Sequence, residues 1–219
     1  DGILSSVTDP INAETISKLS HSIKIIANGA VGFGNIDIEA ARKKNITVTN
    51  TPDVLTDATA DIQILLLLGA SRKAYEGRLA AEKQDWKWSW DFLLGKQMSN
   101  KRLGILGMGR IGRAVAKRAK AFGMEIHYHN RSKLSSNLED GAIYHDTLKG
   151  LFEQSEFLSV NCPATPKTTK IINKETLGYL KKNTVIGNTA RGDVVDDDAM
   201  VEAIKNGTVF AYGLDVYNG

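Results

Sequence analysis

KRLGILGMGRIGRAVAKRAKAF, residues Lys101 to Phe122, carries the strongest pattern in this chain. It begins with a short apolar strand and continues with apolar residues at helical spacing, namely Ile111, Val115, Ala119 and Phe122. The motif G-x-G-x-x-G joins the two parts. Taken alone, the motif is explained equally well by a helix that starts after glycines. Its position between a strand and a helix predicts a dinucleotide-binding turn.

Each glycine of this turn has its own predicted role. Gly107 permits a sharp bend, Gly109 lets the backbone approach a pyrophosphate, and Gly112 lets the helix pack closely on the strand. The first N–H groups of the helix then face the anion, where the helix dipole also favours negative charge.

Composition excludes several other classes of protein. The chain has 219 residues, of which 42% are apolar and 24% charged, as in a globular protein of one or two domains. A net charge of +3 is too small to predict a nucleic-acid or membrane partner. Cys162 is the single cysteine, which excludes an intrachain disulfide and predicts a reducing, cytoplasmic location. The longest apolar run, residues 62–70, is too short to span a bilayer and predicts a buried helix.

Residues 1–52 alternate strands and helices and are predicted to be part of a substrate domain. The predicted strands are 3–5, 23–27 and 46–49, and the predicted helices are 12–20 and 36–45, with a glycine-rich loop at 28–35. Residues 53–219 are predicted to form a linking helix followed by the dinucleotide-binding domain. The linking helix is expected to run from Thr56 or Asp57 to about Ala81, with Ile62, Leu65, Leu66 and Ala70 apolar. After it, Trp86, Trp88 and Trp90 predict an extended arm that packs locally or on a second subunit, with direct contact to substrate as the alternative.

The second region predicts a doubly wound parallel sheet, the Rossmann architecture, because its strands alternate with helices. The predicted strands are 103–106, 125–129, 142–144, 157–161, 184–188 and 209–214, and the predicted intervening helices are 148–154, 174–180 and 197–205.

Cofactor choice is predicted from the end of the second strand of this sheet. An NAD site has an acidic residue there, whereas this chain has Asn130, Arg131, Ser132 and Lys133. A guanidinium beside a hydroxyl suits a 2′-phosphate, so NADP(H) is the preferred cofactor and NAD(H) remains an option. A solvated basic turn without function is the alternative.

Ligands of open α/β sheets lie beyond the carboxyl ends of the strands. Three segments are expected there: 161–165, 188–192 and 215–217. Arg191 is a permanently charged bidentate donor, suited to a substrate carboxylate next to a ketone. A surface ion pair with Asp193 or Asp196 is its alternative role. The run Asp196 to Asp198 is interpreted as the start of a helix at Ala199, and no metal site is predicted.

The chain resembles the D-isomer-specific 2-hydroxyacid dehydrogenase family and, within it, the glyoxylate/hydroxypyruvate reductases. The matching stretches are AVGFGNIDIEAARKKNITVTNTP, TADIQILLLLGASR, LGILGMGRIG, VNCPATPKTTKIIN, NTARGDVVDDDAM and GLDVYNG. The resemblance implies a flavodoxin-like fold for the partial substrate domain, reversible hydride transfer between a nicotinamide and a small 2-oxo acid, and a homodimer.

The resemblance also assigns residues. Arg191 is similar to the catalytic arginine, which binds the substrate carboxylate and carbonyl, and Val31 and Gly32 resemble a backbone N–H clamp on the same carboxylate. The residues implied to bind the cofactor, besides the three glycines and the segment Asn130 to Ser132, are Thr59, Arg110, Ile111, Cys162, Pro163, Thr168, Thr189, Ala190 and Asp215.

The family's catalytic glutamate is expected just after the GLDVY motif, and its general-acid histidine further on. The 219 residues are therefore expected to bind cofactor but to turn over poorly. His21, His127, His129 and His145 match no catalytic motif and are interpreted as structural or exposed.

Other functions remain open within the resemblance. These are a corepressor that senses a dinucleotide, a phosphoglycerate dehydrogenase and a formate dehydrogenase. The Asn130–Arg131–Ser132 cluster argues against the corepressor and against formate dehydrogenase, because both favour NAD(H).

Overall fold

The computed structural model describes residues 1–84 and 86–218. It divides into two compact units, Asp1–Leu55 and Thr56–Gly219, which we call unit 1 and unit 2. The predicted assignment of residues 1–52 to a substrate domain stays a prediction.

Unit 1 is a small parallel α/β layer. Its strands lie side by side in the order β1-β2-β3, and Ile16, Ile26 and Ala41 form the centre of its core. Both helices begin at a side-chain cap: Asn12 Oδ1 accepts from Thr15 N, and Asp37 Oδ1 accepts from Ala40 N, each at 2.9 Å. The elements are β1 (Gly2–Ser5), α1 (Ala13–Lys18), β2 (Ile25–Asn28), α2 (Ile38–Lys43) and β3 (Thr47–Thr49).

Unit 2 contains a six-stranded, wholly parallel sheet in the order β6-β5-β4-β7-β8-β9. The chain builds outward from β4 in one direction, then returns to β7 and builds outward in the other. This doubly wound order confirms the predicted Rossmann fold class. The elements are α3 (Thr56–Ser71), α4 (Ala74–Lys83), β4 (Arg102–Leu106), α5 (Arg110–Ala121), β5 (Glu125–His129), α6 (Ser136–Glu139), β6 (Ile143–Tyr144), α7 (Leu148–Gln154), β7 (Phe157–Val160), α8 (Lys174–Leu177), β8 (Thr184–Asn188), a 3-10 turn (Gly192–Val194), α9 (Asp197–Lys205) and β9 (Val209–Leu214).

The central strands of unit 2 are buried on both faces, as a parallel sheet with helices on both sides requires. Helices α3 and α5 cover one face, whose core includes Leu67, Val115 and Tyr128. Helices α7, α8 and α9 cover the other face, whose core includes Phe152 and Ile186.

The single long linking helix was a wrong prediction, because the structure has two helices, α3 and α4. They separate at Lys73, whose φ of 54° is left-handed. The carbonyl of Ser71 accepts a hydrogen bond from Lys96 N at 2.7 Å, so a distant part of the chain takes an acceptor that a continuing helix would use.

The predicted apolar face of this helix was also wrong in part. Ile62 is 36% exposed and Leu65 61% exposed, whereas the buried positions of α3 are Ala60, Gln63, Ile64, Leu67 and Ser71. Two strand glycines determine this orientation. A side chain at Gly187 in β8 would collide with Gln63, and one at Gly213 in β9 would collide with Leu66. The helix therefore packs where the sheet leaves room for it.

Smaller differences concern element ends. Helix α9 has its predicted bounds, Asp197–Lys205, and Asp196 caps it, so only the alternative start at Ala199 is wrong. The short helix α6 was not predicted.

Trp86, Trp88 and Trp90 lie in a segment that is neither helix nor strand, and Trp90 is 90% exposed. Across the described ranges, no helix is long and apolar enough to cross a membrane.

Candidate active site

The glycine turn lies between β4 and α5, at the carboxyl edge of the sheet. Gly107 has a φ of +93°, and a Cβ there would lie 2.7 Å from the main-chain nitrogen of Cys162. A Cβ on Gly112 would lie 2.5 Å from the carbonyl oxygen of Gly107, so this glycine does permit close packing of helix on strand. At Gly109 nothing lies within 4 Å of such a Cβ, and the backbone is open to a ligand. This arrangement fits a pyrophosphate at the start of α5.

Asn130 has a structural role that the sequence did not reveal. Its Oδ1 accepts a hydrogen bond from the buried main-chain nitrogen of Met108 at 2.7 Å, which ties the glycine turn to the end of β5. Gly107 N donates to His129 O at 3.0 Å and strengthens the same connection. Asn130 thus holds the turn in shape, whatever else it contacts.

The basic turn after Asn130 is exposed at Arg131, Ser132 and Lys133. The guanidinium of Arg131 makes no ion pair with any residue that the structure describes. Lys133 Nζ lies 3.8 Å from the carboxylate of Glu139. The same carboxylate accepts a hydrogen bond from the Tyr128 hydroxyl at 2.6 Å. Burial, together with this bond, raises the pKa of Tyr128 to about 12. Arg131 is therefore available to an anionic ligand.

Arg191 lies just beyond β8 and is exposed. Its Nη1 donates to the carbonyl of Ala190 at 2.6 Å. The alternative ion pair is not seen within the described part of the chain: Asp196 pairs with Lys170 at 3.1 Å and caps α9 instead. In the sheet, β7 separates β8 from β4, so the ends of β4 and β8 are about 10 Å apart. The guanidinium and the glycine turn therefore lie on one edge of one sheet.

The loop after β7 carries three of the predicted cofactor contacts. Cys162 is buried, and burial raises the pKa of its thiol to about 11, so it stays protonated at neutral pH; its predicted contact with cofactor is untested. The hydroxyl of Thr168 donates to Pro163 O at 2.6 Å and accepts from Thr165 N at 2.8 Å. That hydroxyl folds the loop, and a direct contact of Thr168 with cofactor stays a prediction.

The loops after β8 and β9 carry three more of the predicted contacts. Thr189 is buried, and its hydroxyl has no partner among the described residues, which suits a ligand that would supply one. Ala190 is also buried. Asp215 is exposed, and its main-chain nitrogen donates to Asn188 O at 3.0 Å. Thr59 is half-buried on α3, and its predicted contact is untested.

In unit 1, the loop with Val31 and Gly32 is held by two asparagines. Asn50 Nδ2 donates to Val31 O and Asn28 Nδ2 donates to Gly32 O, both at 2.9 Å. Neither loop N–H donates to a described residue, so both are available as a carboxylate clamp. Asn28 is buried, and its Oδ1 accepts a hydrogen bond from the hydroxyl of Ser5. Neither asparagine was predicted as a site residue, because the atoms they hold in this loop are main-chain oxygens.

Three of the four histidines are structural. His127 is buried in β5 and contacts Glu125 Oε1 at 2.5 Å and His145 Nε2 at 2.8 Å. Burial and the neighbouring His127 lower the pKa of His145. His129 Nδ1 contacts the carbonyl of His145 at 2.8 Å, and His21 is exposed.

The fold and this edge of the sheet define a dinucleotide-binding α/β protein. The family model described as "D-isomer specific 2-hydroxyacid dehydrogenase, NAD binding domain" matches residues 64–219, and the chain belongs to this family. This confirms the predicted family and a nicotinamide dinucleotide as the class of cofactor.

Individual relatives agree with the family match. A glyoxylate reductase of Thermococcus litoralis is 43% identical over 99% of this chain and 67% of its own length. A glycerate dehydrogenase of Hyphomicrobium methylovorum is 39% identical over 100% of this chain and 69% of its own length. The crystal structure of a glyoxylate reductase from Paecilomyes thermophila superposes with a TM-score of 0.93, at 43% identity, over 100% of this chain and 67% of that one. The chain thus spans about two thirds of the length of these relatives.

Proposed function

We propose that this protein reduces a small 2-oxo acid, glyoxylate or hydroxypyruvate, to the 2-hydroxy acid with NADPH. One observation carries the proposal: an exposed, permanently charged guanidinium, that of Arg191, follows β8 on the same sheet edge as the glycine turn. The names of the similar glyoxylate reductases and glycerate dehydrogenase support the same substrate class.

The residues of this chain have separate tasks in that reaction. When bound, NADPH supplies the hydride, and the proton that completes the product hydroxyl comes from a general acid, a role for which the resemblance implies a histidine that matches none of the four histidines in this sequence. Arg191 holds the carboxylate and polarises the oxo group with its fixed fork of donors, and thereby stabilises the charge that develops on the oxygen. The carboxylate-clamp role that the resemblance implies for the N–H groups of Val31 and Gly32, in unit 1, stays a prediction. The open backbone at Gly109, with the N–H groups of Arg110 and Ile111, holds the pyrophosphate.

The substrate is tested by a matrix of initial rates with the full-length protein. NADPH and NADH are each combined with glyoxylate, hydroxypyruvate, pyruvate and bulkier 2-oxo acids, and cofactor oxidation is followed spectrophotometrically. We expect the highest kcat/KM with NADPH and either glyoxylate or hydroxypyruvate. No oxidation of either cofactor with any oxo acid would contradict the enzyme assignment and would favour a sensing role.

The cofactor preference rests on the exposed Arg131, which makes no ion pair with the described residues. Arg131→Asp is expected to weaken NADPH binding by on the order of 30- to 100-fold, because a charge-assisted contact is replaced by repulsion, and to change NADH binding little. Lys182→Asp is the matched control: it makes the same charge change just before β8, at the opposite edge of the sheet. Equal losses for both cofactors, measured by titration of cofactor fluorescence, would refute the preference.

We also propose a homodimer, with a cytoplasmic location staying a prediction. Ile62, Leu65 and Leu68 are exposed on α3, and Trp88 and Trp90 are exposed beyond α4. An apolar surface of this kind is typical of an interface between subunits. Leu65→Glu should shift sedimentation velocity to the monomer. Val201→Glu, at an exposed apolar position on α9, should not.

A further inference from the structure

Asn188, the last residue of β8, has a side chain whose oxygen and both N–H groups are engaged in hydrogen bonds. It is 0% exposed. Its Oδ1 accepts from the main-chain nitrogen of Ala190 at 2.9 Å. Its Nδ2 donates to the carbonyl of Arg191 at 3.0 Å and contacts the hydroxyl of Tyr212 at 3.0 Å. Thr189, the next residue along the chain, has in contrast a buried hydroxyl without a described partner.

These partners determine which way the amide of Asn188 faces. The nitrogen of Ala190 can only donate and the carbonyl of Arg191 can only accept, so Oδ1 and Nδ2 cannot be exchanged. The hydroxyl of Tyr212 on β9 accepts a hydrogen bond from the second N–H of the Asn188 amide. Burial raises the pKa of Tyr212, so this hydroxyl keeps its proton at neutral pH. The two main-chain partners, Ala190 N and Arg191 O, therefore hold the amide in one orientation.

The main chain of Arg191 receives one of these hydrogen bonds at its carbonyl. Its φ of −152° and ψ of 152° are extended, and it directly precedes the 3-10 turn that starts at Gly192. Within the described residues, the one hydrogen bond of the Arg191 side chain is to the neighbouring carbonyl of Ala190. The position of the guanidinium therefore depends on the main chain of Arg191. The amide of Asn188 bonds to this stretch of main chain at two atoms, the nitrogen of Ala190 and the carbonyl oxygen of Arg191.

We propose that Asn188 is a positioning residue for Arg191 in 2-oxo acid reduction, and that Tyr212 supports the Asn188 amide by accepting its second N–H. This rests on the proposed function of Arg191. Asn188 touches neither substrate nor cofactor in this role. It sets where the guanidinium meets the substrate, and small displacements of such a group cost large factors in rate.

The first test is Asn188→Asp in the full-length protein. The carboxylate keeps the acceptor for Ala190 N but loses the donor to Arg191 O and repels that carbonyl. We expect kcat/KM for glyoxylate to fall by about 10- to 100-fold, mainly through KM, while the dissociation constant of NADPH changes by less than about twofold. Tyr212→Phe, which keeps the ring, is expected to lower kcat/KM by about threefold and provides a variant that folds if the first one does not.

Two controls separate positioning from general damage. Tyr179→Phe removes a different hydroxyl, which donates to Glu175 at 2.6 Å on the α8 side of the sheet, and should change nothing. In an Arg191→Lys background, Asn188→Asp should cost less than about threefold, because it acts through the residue already changed. Full additivity of the two losses would overturn the proposal.

A crystal structure of the Asn188→Asp protein makes the outcome independent of activity. Displacement of the main chain at Arg191 supports the proposal, and an unmoved Arg191 overturns it, whether or not the wild-type protein reduces an oxo acid. A wild-type protein without 2-oxo acid reduction, with Arg191 displaced in the variant, would overturn only the proposed function.

Discussion

The glycine turn after β4 and the arginine turn after β8 occupy equivalent places on one sheet edge, but they are held by different means. In the first, main-chain geometry requires glycine: Gly107 has a left-handed φ, and Gly112 lets a carbonyl come close. In the second, one buried amide, that of Asn188, bonds to main-chain atoms on both sides of a peptide. A turn built on glycines is visible in a sequence, whereas a turn built on an asparagine looks like any strand end.

The largest expected effect comes from replacing the side chain of Arg191, which should change activity but not the stability of the turn that carries it. Arg191→Met should lower kcat/KM for the 2-oxo acid by on the order of 1000-fold, because the carbonyl loses its charged donor. The guanidinium is exposed, so the free energy of unfolding should stay within about 0.5 kcal/mol of wild type. Steady-state kinetics and urea denaturation measure the two. A large loss of stability would show that the arginine is part of the scaffold.

In the glycine turn, a substitution is expected to disturb the main chain and therefore to lower the stability of the protein. Gly107→Ala should destabilise the protein by about 3 kcal/mol, from the left-handed φ and the collision with the main chain of Cys162. Gly109→Ala is the matched control, since its φ is −79° and nothing lies within 4 Å of the new methyl group. It should keep its stability and bind NADPH about tenfold more weakly. Equal stability losses in urea would contradict the separate roles of the two glycines.

Asn130 offers a direct comparison with Asn188, because it supports the glycine turn by one side-chain bond. Asn130→Ala leaves the buried N–H of Met108 without its acceptor and should cost about 1–2 kcal/mol in the free energy of unfolding. Asn130→Asp keeps an acceptor and should preserve stability, but it should weaken NADPH binding by placing a carboxylate near the 2′-phosphate. Unchanged stability in Asn130→Ala would show that the glycines alone define this turn.

The smallest effect is a pH dependence from Cys162, which packs against Gly107. Its pKa is raised from 9.0 to about 11 by burial, so the folded state holds a proton that the unfolded state releases. Stability is unaffected below pH 9 and is lost as the pH rises from about 9 to 11, by about 1 kcal/mol at pH 10. The measurement is the difference in unfolding free energy between wild type and Cys162→Ala at pH 8 and at pH 10. A pH-independent difference would contradict it.

The fold class followed from the sequence because strand–helix alternation and the glycine motif are local patterns. The break at Lys73 did not, since it depends on Lys96 taking the carbonyl of Ser71 from far along the chain. The buried face of α3 was missed for a similar reason: Gly187 and Gly213, on two strands, determine it. In the site, Arg131, Arg191 and the glycines of the turn were named from their chemistry, and the other residues from the resemblance. Asn28, Asn50 and Asn188 were not, because their roles depend on main-chain partners that no composition or spacing reveals.

The strand order β6-β5-β4-β7-β8-β9 has an evolutionary consequence. Arg131 follows a strand in the half of the sheet formed before β7, and Arg191 follows a strand in the half formed after it. Groups that are well separated and share no partner contribute independently to free energy. A lineage could therefore exchange one coenzyme for another, or one acid for another, by altering a single contiguous block of sequence while the other block kept its inherited preference.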